Sequence, residues 1–320
     1  MILITGCAGF IGYHLSEALI KKNYKVIGID CIDDYYSKKL KINRLENLRK
    51  NKNFIFFKHD LNDYQKTKKL LKKYKVSNII HLAAQPGVRI SVKEPLNTLK
   101  QNLLPFINIL EIARLKKVKK FIYASSSSIY GDSKIFPFSE NDFKNKPISV
   151  YGASKLSNEI IAEAFSKNFK LKCVGLRFFT VYGPYGRPDM AYFSFLNNLK
   201  KKKFIDVYNK GKMMRDFTYI EDIVVGIIKT LTAKIKTNNE ILNIGKGKPD
   251  ELMDLVNELE KNIGKKFKIN FTNNIPLGDI KKTFSNTYKA RKLINWKPKT
   301  DLKKGVKKFV DWYKFYYGIK

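Results

Sequence analysis

Cysteine, histidine and long apolar runs are scarce in this sequence, and each scarcity excludes a class of protein. Three cysteines among 320 residues, with no Cys-x-x-Cys pair, argue against a disulfide framework and favour a reducing compartment. The three histidines are isolated and lack metal-ligand spacing, so we expect no metal. No apolar run approaches the roughly 20 residues of a membrane helix, and a strand pattern at Ile2–Thr5 leaves no room for a signal peptide. We therefore expect a cytoplasmic protein that binds no membrane.

Acidic residues are also scarce, because 28 Asp and Glu stand against 63 Lys and Arg, a formal net charge of +35. Such a charge invites a nucleic-acid hypothesis. The lysines, however, are spread along the whole chain and form no aromatic-interleaved stripe. Between residues 302 and 313, apolar residues keep helical spacing and the lysines fall on the opposite, solvent side. We interpret the charge as a solvated outer face and expect no specific nucleic-acid partner. Non-specific polyanion binding and steering of an anionic substrate remain alternatives.

The first half of the chain alternates short apolar strands with longer amphipathic helices, the pattern of a parallel sheet covered on both faces. The predicted strands are Ile2–Thr5, Lys25–Ile29, Phe54–Phe57, Asn78–His81, Lys119–Ala124 and Lys172–Arg177. The predicted helices lie near 10–22, 36–50, 63–74, 94–115 and 150–168. This rhythm predicts an α/β fold with a doubly wound parallel sheet. Pro105 falls inside the fourth helix and predicts a break or kink near Leu104.

After residue 178 the elements become shorter and mixed, with turn residues between them. We therefore expect two parts, a domain at residues 1–178 and a smaller, mixed α/β lobe at 179–320 that faces a substrate. The part around 219–245 is expected to pack back on the first domain.

A glycine-rich segment, TGCAGFIG, follows the first strand and opens the first helix. Small residues here let the backbone approach a pyrophosphate, which the helix N-terminus then holds. The segment supplies Gly6, Gly9, Phe10, Ile11 and Gly12. A plain tight turn is the alternative. Asp30 ends the second strand, where a carboxylate would accept hydrogen bonds from adenosine ribose hydroxyls. No arginine follows Asp30 to bind a 2′-phosphate, so the sequence predicts NAD rather than NADP.

The glycine spacing GxxGxxG resembles that of the extended short-chain dehydrogenase/reductase family, and further segments agree. Asp60-Leu61 after the third strand resembles the family's adenine contact. The segment from His81 to Ala84 after the fourth strand resembles its wall along the cofactor. The resemblance implies a Rossmann fold that binds NAD at residues 1–178. Beyond the glycine segment and Asp30, it implies cofactor contacts from Asp60, Leu61, Leu82, Ala83, Ala84, Tyr151, Lys155 and Phe178.

Tyr151 and Lys155, in the segment YGASK, resemble the family's acid/base pair. A tyrosine with a lysine four residues later occurs seven times in the chain, so the spacing alone is weak. Only this pair follows a serine-rich turn at the carboxyl end of a sheet strand, where ligands bind in such sheets. One helical turn puts both side chains on one face. A phenol has a pKa of about 10, and a nearby ammonium together with a nicotinamide cation favours the phenolate, which then removes a sugar hydroxyl proton. A capped helix with a surface lysine is the alternative.

The residues around Ser126 separate related reactions within the family. Ser126 matches the Ser/Thr that hydrogen-bonds the reacting oxygen. Sugar-nucleotide 4,6-dehydratases place Asp-Glu directly after it, and nucleotide-glucuronate decarboxylases carry a Glu two residues before the following tyrosine. Here those positions are Ser127 and Ser128. Without a carboxylate neither reaction has its acid or base, which leaves simple redox chemistry at C4 of the sugar.

Three long segments closely resemble the UDP-glucuronate 4-epimerases: HLAAQPGVRISVKEP, LRFFTVYGPYGRPDMAYFSF and IDVYNKGKMMRDFTYIEDIV. The resemblance covers essentially the whole chain and implies conversion of UDP-glucuronate to UDP-galacturonate through a 4-keto sugar. It implies a clamp on the sugar carboxylate from Arg89, Ser127, Ser128, Thr180 and Arg187. It also implies a diphosphate ligand at Arg215 with Asp279 as neighbour, and a homodimer formed through helices 94–115 and 150–168. A structural turn arginine and an exposed surface arginine are the alternatives for Arg187 and Arg215.

Two other functions stay open at this point. One is a 4-epimerase of an uncharged UDP-hexose or UDP-N-acetylhexosamine, for which Arg187→Ala should leave activity nearly intact. The other is a non-catalytic NAD-bound protein whose basic surface binds a polyanion, for which binding to nucleic acid should be tight and salt-dependent.

Overall fold

A seven-stranded parallel sheet forms the centre of the molecule in the computed structural model, which describes residues 1–142 and 146–319. The strands are Ile2–Thr5 (β1), Val26–Asp30 (β2), Phe54–Lys58 (β3), Asn78–His81 (β4), Lys120–Ser126 (β5), Cys173–Phe178 (β6), Thr180–Tyr182 (β7), Ile205–Val207 (β8), Met214–Arg215 (β9), Phe217–Tyr219 (β10), Asn239–Ile244 (β11), Asp250–Glu251 (β12) and Ile269–Phe271 (β13). The order across the central sheet is β3-β2-β1-β4-β5-β6-β11. The chain moves outward from β1 in both directions, so β1 and β4 flank the switch point at which such sheets bind ligands.

Helices cover the sheet and build the C-terminal half. They are Phe10–Lys21 (α1), Lys38–Arg49 (α2), Tyr64–Leu71 (α3), Val88–Lys93 (α4), Pro95–Leu115 (α5), Val150–Phe169 (α6), Ala191–Lys200 (α7), Ile220–Thr232 (α8), Leu252–Ile263 (α9), Tyr288–Ile294 (α10) and Leu302–Tyr317 (α11). Short 3₁₀ turns lie at Ser127–Tyr130 and Tyr208–Gly211. Across the two described ranges, none of the helices combines the length and the apolar character needed to cross a bilayer.

Apolar side chains are buried on both faces of the sheet, as the near-continuous apolar strands require. Ile2 and Ile4 of β1 belong to one large cluster, whereas Leu3 between them belongs to a second cluster with Phe106 and Ile109 of α5. At the other end of the chain, the apolar positions predicted between 302 and 313 are buried in α11 and the intervening lysines are exposed. The predicted solvent-facing use of these lysines is therefore confirmed.

The predicted α/β fold with a doubly wound parallel sheet is confirmed. All six predicted strands are present, and none of their ends is displaced by more than two residues. A seventh strand, β11, was not among the predicted strands, and it pairs in parallel with β6. The same part of the chain places α8 against α1 and the sheet.

Of the break or kink predicted near Leu104, the break is wrong, because α5 runs without interruption from Pro95 to Leu115, and the kink stays a prediction. A proline inside a helix removes one backbone hydrogen bond and crowds the carbonyl four residues earlier. Here Pro105 and its neighbour Phe106 are both buried against the sheet. Packing of this face therefore outweighs the loss of one hydrogen bond, and the prediction failed because it weighed the local cost alone.

Candidate active site

A cavity of about 1260 Å³ opens where the carboxyl ends of the strands meet the C-terminal half of the chain. This volume exceeds the roughly 300–1,000 Å³ of a pocket for one small ligand, so two ligands have room side by side. The cavity is lined by every residue that the sequence analysis assigned to cofactor, catalysis or substrate. The roles of these residues remain predictions.

The glycine turn after β1 is packed backbone against backbone. Gly6 has a φ of +70°, and a Cβ at this position would lie 2.7 Å from the amide nitrogen of Ala83. A Cβ on Gly12 would lie 2.1 Å from the carbonyl oxygen of Gly6. Because α1 begins directly after Gly9, the amides of its first turn lack helical partners and are available to an anion. The turn therefore fits a pyrophosphate that approaches bare backbone at a helix N-terminus.

Asp30 at the end of β2 is suited to hold a ribose. Its Oδ2 accepts a hydrogen bond from the Ala8 amide (3.0 Å) and its Oδ1 accepts one from the Ile32 amide (2.8 Å). Burial raises the pKa of Asp30, and these backbone hydrogen bonds counteract the rise. Two N–H groups use half of the acceptor capacity of a carboxylate, which leaves lone pairs for hydroxyl groups. The nearby Lys41 is bound to Asp33 (Nζ–Oδ2 2.8 Å) and so is not free to pair with a 2′-phosphate.

The hydrogen bonds of Asp30 and the ion pair of Asp33 also bear on whether the one cluster of possible metal ligands in the described ranges binds a metal. Asp30, Cys31 and Asp33 place ligand atoms within 4.8 Å of one another. Two backbone amides hold Asp30 and the Lys41 ammonium group holds Asp33, so partners from the protein already balance part of the negative charge of this cluster. The cluster is better explained as part of the ribose end of the cavity.

The other predicted cofactor contacts continue along the cavity wall from the same end. Asp60 follows β3 and its Oδ1 accepts hydrogen bonds from the backbone and side-chain nitrogens of Asn62 (both 2.9 Å). The amide of Ala83 donates to the Thr5 hydroxyl (3.3 Å), which ties the end of β4 to the glycine turn. The full set along this wall is Asp60, Leu61, Leu82, Ala83, Ala84 and Phe178. A long, flat cofactor therefore fits along the switch point of the sheet.

Tyr151 and Lys155 lie on the first turns of α6, with Ser126 facing them from the end of β5. The Ser149 hydroxyl caps the helix by accepting from the Gly152 amide (3.1 Å), which fixes where its first turn begins. The Lys155 Nζ donates to the carbonyl of Ala124 (3.1 Å) and lies 5.8 Å from the centre of the Tyr151 ring. The structure thus brings the three predicted catalytic side chains together at the carboxyl edge of the sheet.

The charges around Tyr151 differ from the expectation in one respect. Burial raises the pKa of Tyr151, and the charge of Arg187 together with a hydrogen bond from Ser126 counteracts this rise. Burial lowers the pKa of Lys155 to about 8. We expected Lys155 to be the cation that favours the phenolate. In the structure its ammonium group is directed to a backbone carbonyl, and Arg187 is the protein cation that acts on Tyr151.

Asn102 of α5 was missed by the sequence analysis and ties three parts of the site together. Its Oδ1 accepts from the Gln85 amide (2.7 Å), and its Nδ2 donates to the Gln85 carbonyl (3.2 Å) and to the Ser154 hydroxyl (3.0 Å). Asn102 is buried, so these bonds are shielded from water. It therefore holds the loop after β4 against the helix that carries Tyr151. Only its position on α5, directly opposite α6, could have identified it.

A buried ion pair beneath the catalytic residues was also missed. Arg177 of β6 donates from Nε and Nη2 to the two carboxylate oxygens of Glu159 (3.0 and 2.8 Å). The Ser125 hydroxyl donates to the same carboxylate (2.6 Å). Glu159 lies two turns after Tyr151 on α6, and Ser125 precedes Ser126 on β5. The pair therefore locks the helix carrying the base to the strand carrying the hydroxyl.

Arg187 enters the cavity from the turn after β7, but it is not a free cation. Its guanidinium group forms an ion pair with Asp189 (Nη2–Oδ2 2.5 Å), and Tyr35 donates to the same carboxylate (3.0 Å). Burial works against the charge of Arg187, yet Asp189 raises its pKa overall. Ser127 and Ser128 lie in the 3₁₀ turn after β5, and Thr180 begins β7. Cationic and hydroxyl donors thus line the same cavity.

Arg215 and Arg89 lie at another part of the cavity with Asp279 between them. Arg215 donates from Nη1 to the carbonyls of Met214 (2.9 Å) and Lys281 (3.2 Å), and burial lowers its pKa. Arg89 donates from Nε and Nη2 to Oδ2 of Asp279 (3.3 and 3.0 Å). Two arginines that line one cavity fit an anion with several oxygens, such as a diphosphate. Arg89 and Arg187 line the same cavity, but Arg89 is paired with Asp279 and Arg187 with Asp189. The place of Arg89 in the carboxylate clamp stays a prediction.

The chain is similar to known proteins over nearly its whole length. The family model described as GDP-mannose 4,6 dehydratase matches residues 3–309. Protein CapI of Staphylococcus aureus is 43% identical over 332 residues, which cover 99% of each chain. UDP-glucuronate 4-epimerase 4 of Arabidopsis thaliana is 40% identical, with 99% of this chain and 76% of that one covered.

A solved structure gives the same result at the level of the fold. The UDP-glucuronic acid 4-epimerase from Bacillus cereus, crystallised with UDP-glucuronic acid and NAD, superimposes with a TM-score of 0.91 at 36% identity and covers 99% of both chains. The chain belongs to the NAD-dependent epimerase/dehydratase family of the short-chain dehydrogenases/reductases.

Proposed function

We propose that this chain is an NAD-dependent UDP-glucuronate 4-epimerase. The observation that carries the proposal is the position of Arg187, which lines the same cavity as Tyr151 and acts electrostatically on it. A cation at this point suits a sugar that carries a carboxylate next to the reacting carbon. The Bacillus cereus protein of the same fold was crystallised with UDP-glucuronic acid and NAD, which supports both the substrate and the cofactor.

The cofactor residues form one continuous set along the cavity. The glycine turn would hold the pyrophosphate, Asp30 the adenosine ribose, and Lys155 the nicotinamide ribose. When bound, NAD⁺ supplies a hydride acceptor at C4 of the sugar and gives the hydride back. We further propose that residues 179–320, apart from the segment around 219–245, form the lobe that holds the nucleotide sugar.

The chain's own residues handle the proton and the orientation of the sugar. Ser126 hydrogen-bonds the C4 oxygen and lowers the pKa of Tyr151. Tyr151 as phenolate accepts the C4 hydroxyl proton and later returns it. Between these events the sugar is a 4-ketone, which must present its opposite face. The absence of a carboxylate at Ser127 and Ser128 leaves no group at those positions to eliminate water.

Holding the sugar carboxylate protects this intermediate. The ketone lies β to the carboxylate, and loss of CO₂ requires the bond to the carboxylate to align with the π system of the ketone. Arg187, Thr180, Ser127 and Ser128 line the same cavity and would keep the carboxylate near the ring plane. Positioning in this way suppresses decarboxylation by geometry, without any change in chemistry.

The test is to follow UDP-glucuronate by NMR with the purified protein, first without and then with added NAD. We expect UDP-galacturonate in both cases, approaching an equilibrium mixture. The Tyr151→Phe variant is the control and should bind the nucleotide sugar without converting it. Release of CO₂ with a UDP-pentose, conversion of UDP-glucose alone, or no reaction in the presence of NAD would each contradict the proposal.

We also propose that the protein is a homodimer formed through α5 and α6. These helices pack on each other and leave Leu104, Ile107 and Ile160 exposed, the last to 61%. An exposed apolar patch on adjacent helices is typical of a subunit interface. Light scattering after gel filtration should give twice the chain mass, and Ile160→Asp should give the single-chain mass. Phe315→Asp removes an even more exposed apolar side chain on α11 and should leave the dimer intact. A monomeric parent protein refutes the proposal.

A further inference from the structure

In the part of the chain that the structure describes, the guanidinium group of Arg187 donates to Asp189 from one of its edges. Nε donates to Oδ1 of Asp189 (3.1 Å) and Nη2 donates to Oδ2 of the same residue (2.5 Å). This is a side-on, bidentate pair. Among residues 1–142 and 146–319, Nη1 of Arg187 has no hydrogen-bond partner. It is also absent from the buried atoms without partners, so it is accessible from the cavity that Arg187 lines. The end of the guanidinium that carries Nη1 and Nη2 is therefore available for a second carboxylate.

Asp189 is itself held in place from two sides. Tyr35 donates its phenol hydrogen to Oδ2 of Asp189 (3.0 Å) across a sequence separation of 154 residues. Burial alone would raise the pKa of Asp189, but Arg187 and Tyr35 lower it overall, so the carboxylate stays charged. The side chains of Arg187 and Asp189 are 20% and 32% exposed.

The surrounding backbone is shaped for this arrangement. The amide of Arg187 donates to the hydroxyl of the buried Tyr192 (3.2 Å), which anchors the turn that carries both members of the pair. In the loop after β4, Gly87 has a φ of +117°, and a Cβ there would lie 2.8 Å from the Tyr35 hydroxyl oxygen. A side chain at this position would push Tyr35 away from Asp189. Two separate loops therefore leave room for one hydrogen-bonded row, Tyr35–Asp189–Arg187.

We propose that Asp189 and Tyr35 are positioning residues, which hold Arg187 side-on so that its end-on edge binds the C5 carboxylate of the substrate. This inference rests on the proposed function and adds two residues to it. Asp189 stays paired with Arg187 when the substrate is bound, and the guanidinium bridges the two carboxylates. An exchange, in which Arg187 leaves Asp189 to bind the sugar, is the opposing arrangement. The bridged arrangement fixes the plane of the guanidinium and hence the plane of the sugar carboxylate.

A crystal structure of the Tyr151→Phe holoenzyme with UDP-glucuronate tests the arrangement without any turnover. We expect Nε and Nη2 of Arg187 to remain on Asp189, and Nη1 together with the second hydrogen of Nη2 to contact the sugar carboxylate. An Arg187 that has left Asp189, or a sugar carboxylate bound elsewhere, would overturn the inference. If the bridged arrangement is seen but the parent protein does not turn over UDP-glucuronate, the proposed function fails and the positioning of Arg187 stands.

Kinetics of Asp189→Asn separate positioning from a merely structural role. The substitution loosens the orientation of Arg187, which weakens binding, and it removes the negative charge of Asp189, which strengthens binding of the sugar carboxylate. These effects oppose each other, so the KM for UDP-glucuronate should change by less than about 3-fold. Misplacement of a clamp costs rate up to ~10²-fold, so kcat for epimerisation should fall roughly 10- to 100-fold while the share of UDP-pentose and CO₂ rises. Arg187→Lys keeps the positive charge but lacks the two hydrogen-bonding edges of a guanidinium group, so it should change kcat and the product ratio in the same way as Asp189→Asn.

The matched control is Asp311→Asn, which makes the same change in an exposed pair with Lys307 on α11. It should leave kcat, KM and the product ratio unchanged. Tyr35→Phe, which removes one hydrogen bond to Asp189, should move the product ratio in the same direction as Asp189→Asn by a smaller factor. An Asp189→Asn protein whose product ratio is that of the parent, or whose losses are equal for UDP-glucuronate and UDP-glucose, would overturn the inference.

Discussion

The replacement of Arg187 by alanine is the sharpest test of what this cavity recognises. The side chain is 20% exposed and has one free edge toward the cavity. Each charge-assisted hydrogen bond contributes roughly 1.5–3 kcal/mol. With two such bonds to a sugar carboxylate, discounted for partial exposure to water, we expect a loss of about 3 kcal/mol. That energy corresponds to a fall of roughly 10²-fold in kcat/KM for UDP-glucuronate.

The comparison that matters is between substrates. UDP-glucose has no carboxylate, so Arg187→Ala should change its binding, measured by calorimetry, by less than about 3-fold. UDP-glucuronate should lose affinity, and its turnover should release more CO₂, which a coupled assay or NMR detects. An equal loss for both nucleotide sugars would refute the assignment of Arg187 to the carboxylate and would favour an uncharged hexose as the substrate.

A double variant removes an ambiguity in this experiment. Arg187→Ala leaves Asp189 without its ion pair, and its negative charge would then repel the sugar carboxylate. Arg187→Ala combined with Asp189→Ala removes this repulsion. The double variant should therefore bind UDP-glucuronate more tightly than Arg187→Ala and less tightly than the parent protein. If it binds no better than Arg187→Ala, repulsion plays no part and the whole loss belongs to the missing cation.

Three further predictions concern the base, the cofactor turn and the core. The charge of Arg187 lowers the pKa of Tyr151, so removing this charge disfavours the phenolate. Arg187→Ala should therefore shift the acidic limb of the kcat–pH profile to higher pH, and a limb at the same pH contradicts this. Gly12→Ala would place a Cβ 2.1 Å from a backbone oxygen, so bound NAD measured by absorbance after purification should fall sharply, and full occupancy contradicts it. Lys120 donates three hydrogen bonds to carbonyls at and just beyond the end of α8. Lys120→Met should therefore lower the free energy of unfolding in urea by roughly 2–3 kcal/mol. The control Lys119→Met, at an exposed site, should change this free energy little.

The sheet was predictable because its signals are local. Each of the six predicted strands is a short apolar run bounded by turn residues, and both the turn at Gly6 and the carboxylate at Asp30 follow such runs. β11 was not recognised as a strand, since NEILNI carries polar residues at its start and its position is set by pairing with β6. Pro105 misled for the opposite reason, because its local cost is outweighed by burial that only the tertiary structure shows.

The sequence predicted which residues line the cavity better than it predicted the contacts between them. Tyr151, Lys155 and Ser126 were found through motif order, and all three lie together in the structure. The partners of the arginines were not found, because Tyr35 and Asp189 are far apart in the sequence. An acidic residue two positions after Arg187 was visible, but nothing local distinguishes a partner from a surface charge. Long-range pairing of this kind requires the fold.

The match to a dehydratase family model raises the question of why the chain should not eliminate water. Elimination needs an acid and a base near C5 and C6 of the sugar, and the positions that supply them in dehydratases are Ser127 and Ser128 here. Asp189 is an acidic group at the sugar end of the cavity, but it is held by Arg187 and Tyr35, which lower its pKa despite burial. A carboxylate stabilised in this way is a weak base. The ion pair that we propose positions Arg187 for the substrate would therefore also remove Asp189 as a base for elimination, which leaves oxidation and reduction at C4 as the chemistry that the proposal requires.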